Sequence, residues 1–219
     1  MRYAALLTLA GAFAISAASA SAQAPPVRFE VGARAGAMMF ASDLPASFLL
    51  TDESGVLLQL DEVELDPAFT IGGNVGARIG ERFGVGVSML YSPLTYSTSA
   101  ASDQDADLFA YGADFSYHAT QFSDRVVPFL VVGAGAKTYS FEGADAETDF
   151  MWNVGGGMDV NLASNVGLRF EVRDYMSMFD PEINGFDSEL QHDVAVSAGL
   201  RFEFGPPRGQ LARRNGGMR

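Results

Sequence analysis

The side chains best suited to acid–base or nucleophilic chemistry are two histidines, His118 and His192. A hydrolase needs a nucleophile within hydrogen-bond reach of its base. The residues that follow the two histidines are Ala-Thr and Asp-Val, so the spacing alone places no serine beside either imidazole. The chain has no cysteine, which excludes a thiol nucleophile, a disulfide scaffold and a cysteine-ligated zinc site. We therefore predict a protein that is not an enzyme and has no catalytic, cofactor or metal-binding residues.

Acidic side chains form a second group with the potential to bind a ligand. Four segments, 41–66, 103–107, 142–149 and 180–193, hold 19 of the 27 Asp and Glu residues and no Lys or Arg. Carboxylates are the usual protein ligands of hard divalent cations. The pattern therefore indicates either divalent-cation binding or a solvated acidic rim.

The overall charge argues against nucleic-acid binding. The 219 residues include 14 Lys and Arg against 27 Asp and Glu, with a formal net charge of -13. Phosphate neutralisation requires a basic face, which this balance does not supply. Beyond the N-terminus no apolar run approaches the roughly 18 residues that a membrane-spanning helix needs. A helical inner-membrane protein is therefore excluded as well.

The first 22 residues have the features of a secretory signal. Arg2 precedes an uncharged stretch that ends in Ala20-Ser21-Ala22, an A-x-A cleavage site. A spanning helix is the alternative, but the stretch is rich in Ala and Ser and no basic stop-transfer residues follow it. We predict a cleaved signal peptide over residues 1–22 and an exported protein.

The remainder of the chain alternates apolar and polar residues with a period of two, which is typical of β-strands with two different faces. At the start of the first segment, Phe29 and Val31 lie on one face and Arg28 and Glu30 on the other. Each segment is long enough to cross a bilayer at the usual tilt, which takes about 9–11 residues. The eight segments are 27–40, 69–80, 83–95, 107–119, 128–141, 150–162, 166–178 and 192–204.

Glycine dominates the polar faces of these segments, as at Gly32, Gly36, Gly133 and Gly135. A soluble sandwich or lipocalin-like barrel also alternates, but its polar face meets water and carries mostly Lys, Glu, Thr and Ser. Glycine suits the crowded interior of a narrow barrel better than a wet surface. We therefore predict an all-β fold: an eight-stranded antiparallel up-and-down transmembrane β-barrel with its apolar face toward lipid.

Two segments carry a resemblance to a known family. Leu168-Arg169-Phe170-Glu171-Val172-Arg173-Asp174-Tyr175, and a last strand that ends in the aromatic Phe204, resemble the small outer-membrane barrels of Gram-negative bacteria. The match is to the OmpA/OmpX/OmpW type and covers residues 27–204. It implies a barrel domain over residues 23–204 in the bacterial outer membrane, with short turns and both chain ends in the periplasm.

The resemblance also implies how the barrel is inserted. The last strand resembles the signal that such proteins present to the barrel assembly machinery, with Leu200, Phe202 and Phe204 at its apolar positions. Members normally end at the terminal aromatic, whereas this chain continues as a basic tail over residues 205–219. We expect this short tail to lie in the periplasm.

Charged residues on the polar faces should meet inside the barrel. The last and first strands are neighbours in a closed barrel, so Arg28 should face Glu203 and Glu30 should approach Arg201. Unpaired charges away from water are costly, so we expect a neutralised network. It would be either a plug that sets strand register or a gated ion path. The predicted lumen charge network is Arg28, Glu30, Arg78, Asp159, Arg169, Glu171, Arg201 and Glu203.

The resemblance implies a structural or surface-interaction role, with the first long connection as the contact surface. Divalent cations would bridge its acidic residues, and those of the other loops, to lipopolysaccharide. The alternative is an OmpW-like narrow pore or conduit for small hydrophobic molecules or ions. Neither histidine matches the H-x-S pattern of lipid A deacylases on similar barrels, so both are expected to be isolated, near the membrane interfaces. The apolar residues of the first connection are Phe48, Leu49, Leu50, Val56, Leu57 and Leu58, and the inward aromatics are Phe129, Tyr139 and Tyr175.

Overall fold

The computed structural model describes residues 25–40, 44–45, 49–51, 57–59, 62–98, 104–120, 123, 125–141, 146–179 and 189–205. The predicted signal peptide and nearly all of the basic tail lie outside these residues and stay predictions. Among the described residues, no helix is long and apolar enough to cross a bilayer.

Twelve strands make up the described structure, and eight of them are long. In chain order the strands are β1 (Val27–Phe40), β2 (Leu44–Pro45), β3 (Leu49–Thr51), β4 (Leu57–Gln59), β5 (Glu62–Leu65), β6 (Ala68–Ile79), β7 (Phe83–Thr98), β8 (Gln104–His118), β9 (Val126–Phe141), β10 (Glu147–Asn161), β11 (Val166–Phe179) and β12 (Glu189–Phe204). Eight strands are long: β1 and β6–β12. Each long strand pairs antiparallel with the next long strand along the chain, so that β1 pairs with β6, β6 with β7, and so on to β12. β1 pairs with β12, which closes the ring. The prediction of an eight-stranded up-and-down barrel is confirmed.

The pairing register shows how strongly the strands are staggered. Following paired residues once around the barrel from Val166 leads back to β11 at Met176, ten residues further along that strand. A closed sheet with such a stagger must tilt its strands, typically by about 35–45°. Side chains from distant parts of the sequence therefore share one level of the lumen.

The two faces of the wall differ as the alternation predicts. Phe170 and Phe202 lie on the outside and are 43% and 39% exposed, whereas Glu171 and Arg201 lie inside and are 4% and 2% exposed. Outward apolar residues occur on all eight long strands. The outer wall therefore has the composition of a surface that contacts lipid, and the lumen holds the charges.

The two ends of the barrel differ in their connections. Residues 80–82 and 162–165 form short turns at one end, where β1 begins and β12 ends, and at the same end only seven residues separate β8 from β9. We call this the turn end. In the first turn, Gly80 has a φ of 66°, a conformation that glycine adopts without strain. The opposite end, called the loop end, carries the long first connection.

Several strands continue beyond their predicted bounds at the loop end. β7 runs to Thr98 and β8 begins at Gln104, so their connection is only residues 99–103. The ladder continues there through the pair Thr95 and Asp105, whose side chains are polar. Apolar alternation reports only the part of a strand that faces lipid, which is why the sequence underestimated these strands.

The first connection contains strands rather than only loop. β5 pairs with the extended end of β7, and β2 pairs with β5. β3 and β4 form a separate hairpin in which Leu50 lies opposite Leu58. Phe48 and Val56 lie outside the described residues. The apolar residues predicted as a contact surface thus include the two strands of a hairpin at the loop end.

Candidate functional site in the barrel lumen

Seven of the eight predicted network residues meet in the half of the lumen nearer the turn end. Asp159 is completely buried and lies among three guanidinium groups. Its carboxylate oxygens are 3.0 Å from Arg78 Nη2, 2.8 Å from Arg169 Nε and 3.5 Å from Arg201 Nε. These residues belong to β6, β10, β11 and β12, so one carboxylate connects strands on several sides of the barrel.

Glu30 and Glu203 complete this lower cluster. Glu30 lies 2.7 Å from Arg169, 3.3 Å from Arg78 and 3.5 Å from Arg201. Glu203 lies 3.7 Å from Arg28 and 3.3 Å from Arg78, and it also pairs with Arg201. Four arginines thus face three acids, and every acid contacts at least two guanidinium groups. Each buried charge of the lower cluster thus lies close to at least one charge of opposite sign.

Glu171, the eighth predicted residue, belongs to a second cluster deeper in the barrel. It lies 2.6 Å from Arg34 and 2.9 Å from Arg173. Arg173 in turn lies 2.8 Å from Asp114. Arg34, Asp114 and Arg173 are absent from the predicted network, although each has the inward parity of its strand. Their alternation in the sequence is the signal that identifies them.

A cavity of about 50 Å³ lies between the wall and these two clusters. Arg34, Arg78, Glu30 and Glu171 are among its lining residues. A water molecule needs about 10–15 Å³ of such space, so the cavity has room for a few waters but not for a substrate. Gly76 and Gly86 form part of the wall here, and a Cβ on either would lie 2.7 Å from a backbone oxygen of the facing strand. Glycine therefore permits the close approach of these two strands.

His118 lies within the lower cluster, so the expectation of an isolated histidine at the membrane interface is wrong for this residue. Its side chain is 2% exposed, because its parity on β8 is inward. Nε2 lies 3.0 Å from Ser116 Oγ, and Nδ1 lies 3.5 Å from Asp159 Oδ2. The serine precedes the histidine by two residues on the same face of β8, so the expectation that spacing places no serine beside either imidazole is wrong for His118.

This Ser-His-Asp connectivity differs from a working catalytic triad. Arg78 Nη2 lies 3.1 Å from Nδ1 and 3.3 Å from Nε2 of His118. A general base must accept a proton and hold the resulting positive charge, and a guanidinium at this distance opposes that charge. Ser116 lines the small cavity between the clusters, which has room for a few waters but not for a substrate.

The loop-end half of the lumen is mainly apolar, a feature that was not among the predictions from the sequence. Met38, Leu90, Leu108 and Met151 all point inward and are at most 2% exposed. Tyr175 packs with them and is 3% exposed. These residues share the parity of the glycines and charged residues on their strands. The inward face therefore changes from ionic to apolar along the barrel axis.

One buried ion pair interrupts this apolar half. Lys137 Nζ lies 2.5 Å from Asp193 Oδ2 and 3.2 Å from Gln191 Oε1. The Tyr139 hydroxyl donates to Asp193 across 3.0 Å and accepts from Gln191 at the same distance. Asp193 was grouped with the acidic loop residues in the sequence analysis. It also belongs to the predicted last strand, 192–204, and the structure places it inside the barrel, as its parity on that strand requires.

Comparison with known proteins decides the family. The family model described as "Outer membrane protein beta-barrel domain" matches residues 5–202. The chain belongs to this family. It is a protein of the bacterial outer membrane. A search of curated protein sequences finds no match.

Solved outer-membrane barrels share the fold at low sequence identity. Neisserial surface protein A (NspA) is 20% identical with a TM-score of 0.53, and the match covers 82% of this chain and 97% of NspA. OprG from Pseudomonas aeruginosa is 11% identical with a TM-score of 0.55, and the match covers 84% and 98%. At these identities the similarity establishes the barrel fold alone.

The remaining predicted sites of this outer-membrane barrel lie on its wall or at its loop end. His192 faces outward as expected, but it is not isolated, because Nδ1 lies 2.8 Å from Asp174 Oδ2. Asp105 and Asp107 also lie exposed on the outer wall, on β8. Within the described ranges, no group of three His, Asp or Glu side chains is arranged to hold a metal ion. Many of the acids predicted to bind divalent cations lie outside these ranges.

Proposed function

We propose that the protein is a closed, non-enzymatic outer-membrane barrel with a structural or surface-interaction role. The observation that carries this proposal is the filling of the lumen on two levels. Ion pairs occupy the turn-end half, and Met38, Leu90, Leu108 and Met151 fill the loop-end half. An ion that enters from the turn end would have to displace paired charges. An ion that enters from the loop end would have to lose its hydration shell among apolar side chains.

The lumen network acts in this proposal as a plug that sets the strand register. Asp159 and Glu30 each contact the guanidinium groups of three arginines, and some of these arginines lie on strands that are not adjacent to the acid's own strand. A shift of one strand by a single residue would move its charged side chains to the outer wall. Lipid would then face unpaired charge, which makes incorrect registers unfavourable.

The exposed loop end is the proposed contact surface. The β3–β4 hairpin carries Leu49, Leu50, Leu57 and Leu58, and acidic segments surround it in sequence. Short turns and both chain ends are placed in the periplasm, which puts this hairpin outside the cell. Divalent cations would bridge the acidic loops to lipopolysaccharide. The outward Leu200, Phe202 and Phe204 of β12 would be presented to the barrel assembly machinery.

Single-channel recording tests the plug. Purified full-length protein in planar bilayers should give no stepwise current. A variant that shortens side chains at both levels, Leu90→Ser and Leu108→Ser together with Glu30→Ser and Arg78→Ser, should give current, because it opens the apolar filling and removes one ion pair of the lower cluster. Stepwise conductance of the wild type at the level of the variant would contradict the proposal. Heat-modifiable gel migration reports independently whether each preparation is folded.

Deletion of the hairpin tests the surface role. A variant lacking residues 46–60 should still migrate as a folded barrel but should lose adhesion of whole cells to a host or abiotic surface. A matched deletion within residues 99–103 should have a smaller effect. Protease access to the first connection on intact cells checks the proposed orientation.

A second candidate function is an OmpW-like conduit for small hydrophobic molecules. The apolar loop-end half of the lumen favours it, since such a ligand would find matching side chains there. The conduit would require Phe129, Tyr139 and Tyr175, each at most 4% exposed, to move aside. Ligand-dependent changes in the fluorescence or modification of these aromatics would support transport; identical behaviour with and without hydrophobic ligands would support the plug.

A further inference from the structure

An ionisable side chain lies on the lipid-facing wall where apolar residues are expected. On β11 the outward residues are Val166, Leu168, Phe170 and Val172, and the next is Asp174. Its neighbours across the ladder are Val154 on β10 and Val194 on β12. β10 continues beyond Val154 toward the loop end with two further outward aromatics, Trp152 and Phe150, which are 49% and 71% exposed. Asp174 therefore lies below the upper edge of the apolar band.

Asp174 forms an outward pair with His192 of the neighbouring strand. The carboxylate accepts a hydrogen bond from Nδ1 across 2.8 Å, which leaves Nε2 of the ring for another partner. The His192 side chain is 40% exposed. Asp174 Oδ1 is covered and has no hydrogen-bond partner among the described residues. The hydrocarbon region of a membrane contains no water that could bond these two groups. A polar partner from another molecule would therefore stabilise them.

An open apolar groove of about 400 Å³ lies on the same wall, on the turn-end side of this pair. The small residues Ala35, Ala198 and Gly156 form its floor, and Phe170 and Val172 border it. Val172 is two residues from Asp174 on the same face, a separation of about 7 Å along a strand. The groove therefore extends from the polar pair toward the middle of the membrane.

We propose that the Asp174–His192 pair and this groove bind one lipopolysaccharide molecule of the outer leaflet. One acyl chain would lie in the groove, and a hydroxyl or amide N–H of the lipid A head would donate a hydrogen bond to Nε2 of His192, which Asp174 holds in place. The proposal rests on the orientation in the proposed function, which puts the loop end outside the cell. The groove volume is within the range of about 300–1,000 Å³ that is typical of small-molecule sites.

The position of the polar pair favours a lipid over a second copy of the chain. The outward residues around the pair are apolar on β10, β11 and β12. A second copy of this wall, docked across its small residues, would cover His192 and Asp174 with apolar side chains and leave their polar atoms without partners. A membrane lipid supplies polar groups at its head and an apolar chain below them, in the same order as the pair and the groove.

Native mass spectrometry of the full-length protein tests this assignment. The protein would be reconstituted in vesicles of phosphatidylethanolamine and phosphatidylglycerol, with or without lipopolysaccharide, and then released into detergent. The wild type should retain one lipopolysaccharide. Ala198→Phe, which fills the groove, and the double variant Asp174→Val and His192→Val should retain at least fivefold less. Ala134→Phe, on the outward face of β9, is the matched control and should retain as much as the wild type.

The possible outcomes separate this proposal from its alternatives. Equal lipopolysaccharide retention by all four proteins would overturn it, as would equal retention of phosphatidylglycerol by the wild type. A dimer that Ala198→Phe abolishes would instead assign the groove to contact between copies. Gel migration and bilayer conductance of the same preparations report on the closed barrel separately. A protein that is folded and non-conducting but retains no lipid would contradict only the lipid site.

Discussion

Lys137 and Asp193 form an ion pair of 2.5 Å between Nζ and Oδ2, and neither side chain is exposed. The pair joins β9 to β12, which are separated by two strands in the barrel, across the interior of its loop-end half. Apolar residues such as Met151 and Tyr175 lie in the same half. The pair is therefore an ionic crosslink inside a mainly apolar filling that also contains the buried polar side chains of Ser177 and Gln191.

Removing one member of this pair should destabilise the barrel more than removing both. Lys137→Met leaves a buried carboxylate without its cation and should lower the free energy of unfolding by about 3–5 kcal/mol. The double variant Lys137→Met and Asp193→Leu should recover much of this loss. Urea unfolding in lipid vesicles, followed by gel migration, measures both. Equal losses in the single and double variants would show that the pair contributes little as a pair.

Asp159 should be the most sensitive acid of the lower cluster. Asp159→Ala leaves Arg78, Arg169 and Arg201 with one shared carboxylate, Glu30, instead of two, and should destabilise the barrel by about 3–5 kcal/mol. Asp107→Ala is the control, because this exposed acid bonds only the Tyr91 hydroxyl among the described residues. Its loss should stay within about 1.5 kcal/mol. The same urea titration would contradict the prediction if the two variants unfolded together.

The apolar filling should respond to cavities as a protein core does. Leu108→Ala removes a fully buried side chain and should lower stability by about 2–5 kcal/mol. Leu130→Ala makes the same chemical change on the outer wall, where Leu130 is 65% exposed. Lipid can fill the space left there, so its effect should be clearly smaller. A larger effect of Leu130→Ala in vesicles would mean that the loop-end half is not tightly packed.

The aromatic end of β12 should affect assembly more than stability. Phe204→Ala should reduce the amount of folded barrel in the outer membrane of cells severalfold, if the last strand is presented to the assembly machinery. Refolding of the purified variant into detergent micelles should proceed as for the wild type. Phe150→Ala, also on the outer wall and 71% exposed, is the control. Equal cellular levels of the two variants would argue against the role proposed for the last strand.

The strands and their faces were predictable because they depend on local periodicity. Val27 to Met39 on β1 and Val194 to Phe204 on β12 show their parity in the sequence itself, and the structure preserves it. The strand bounds at the loop end were less predictable. Around Thr95 and Asp105 the ladder continues after the apolar alternation stops, because backbone pairing does not require a lipid-facing surface.

The sequence by itself determined the eight crossing strands, the lipid-facing side of each and the inward direction of the charged residues. Only the tertiary structure decided which inward residues meet. The ten-residue stagger tilts the strands, so Glu171 joins Arg34 and Arg173, while Asp159 joins Arg78, Arg169 and Arg201. The same stagger brings His118 on β8 to Asp159 on β10, and the register of the adjacent strands β11 and β12 places Asp174 beside His192. Parity along one strand contains no information about height relative to the other seven, and height determines the contacts.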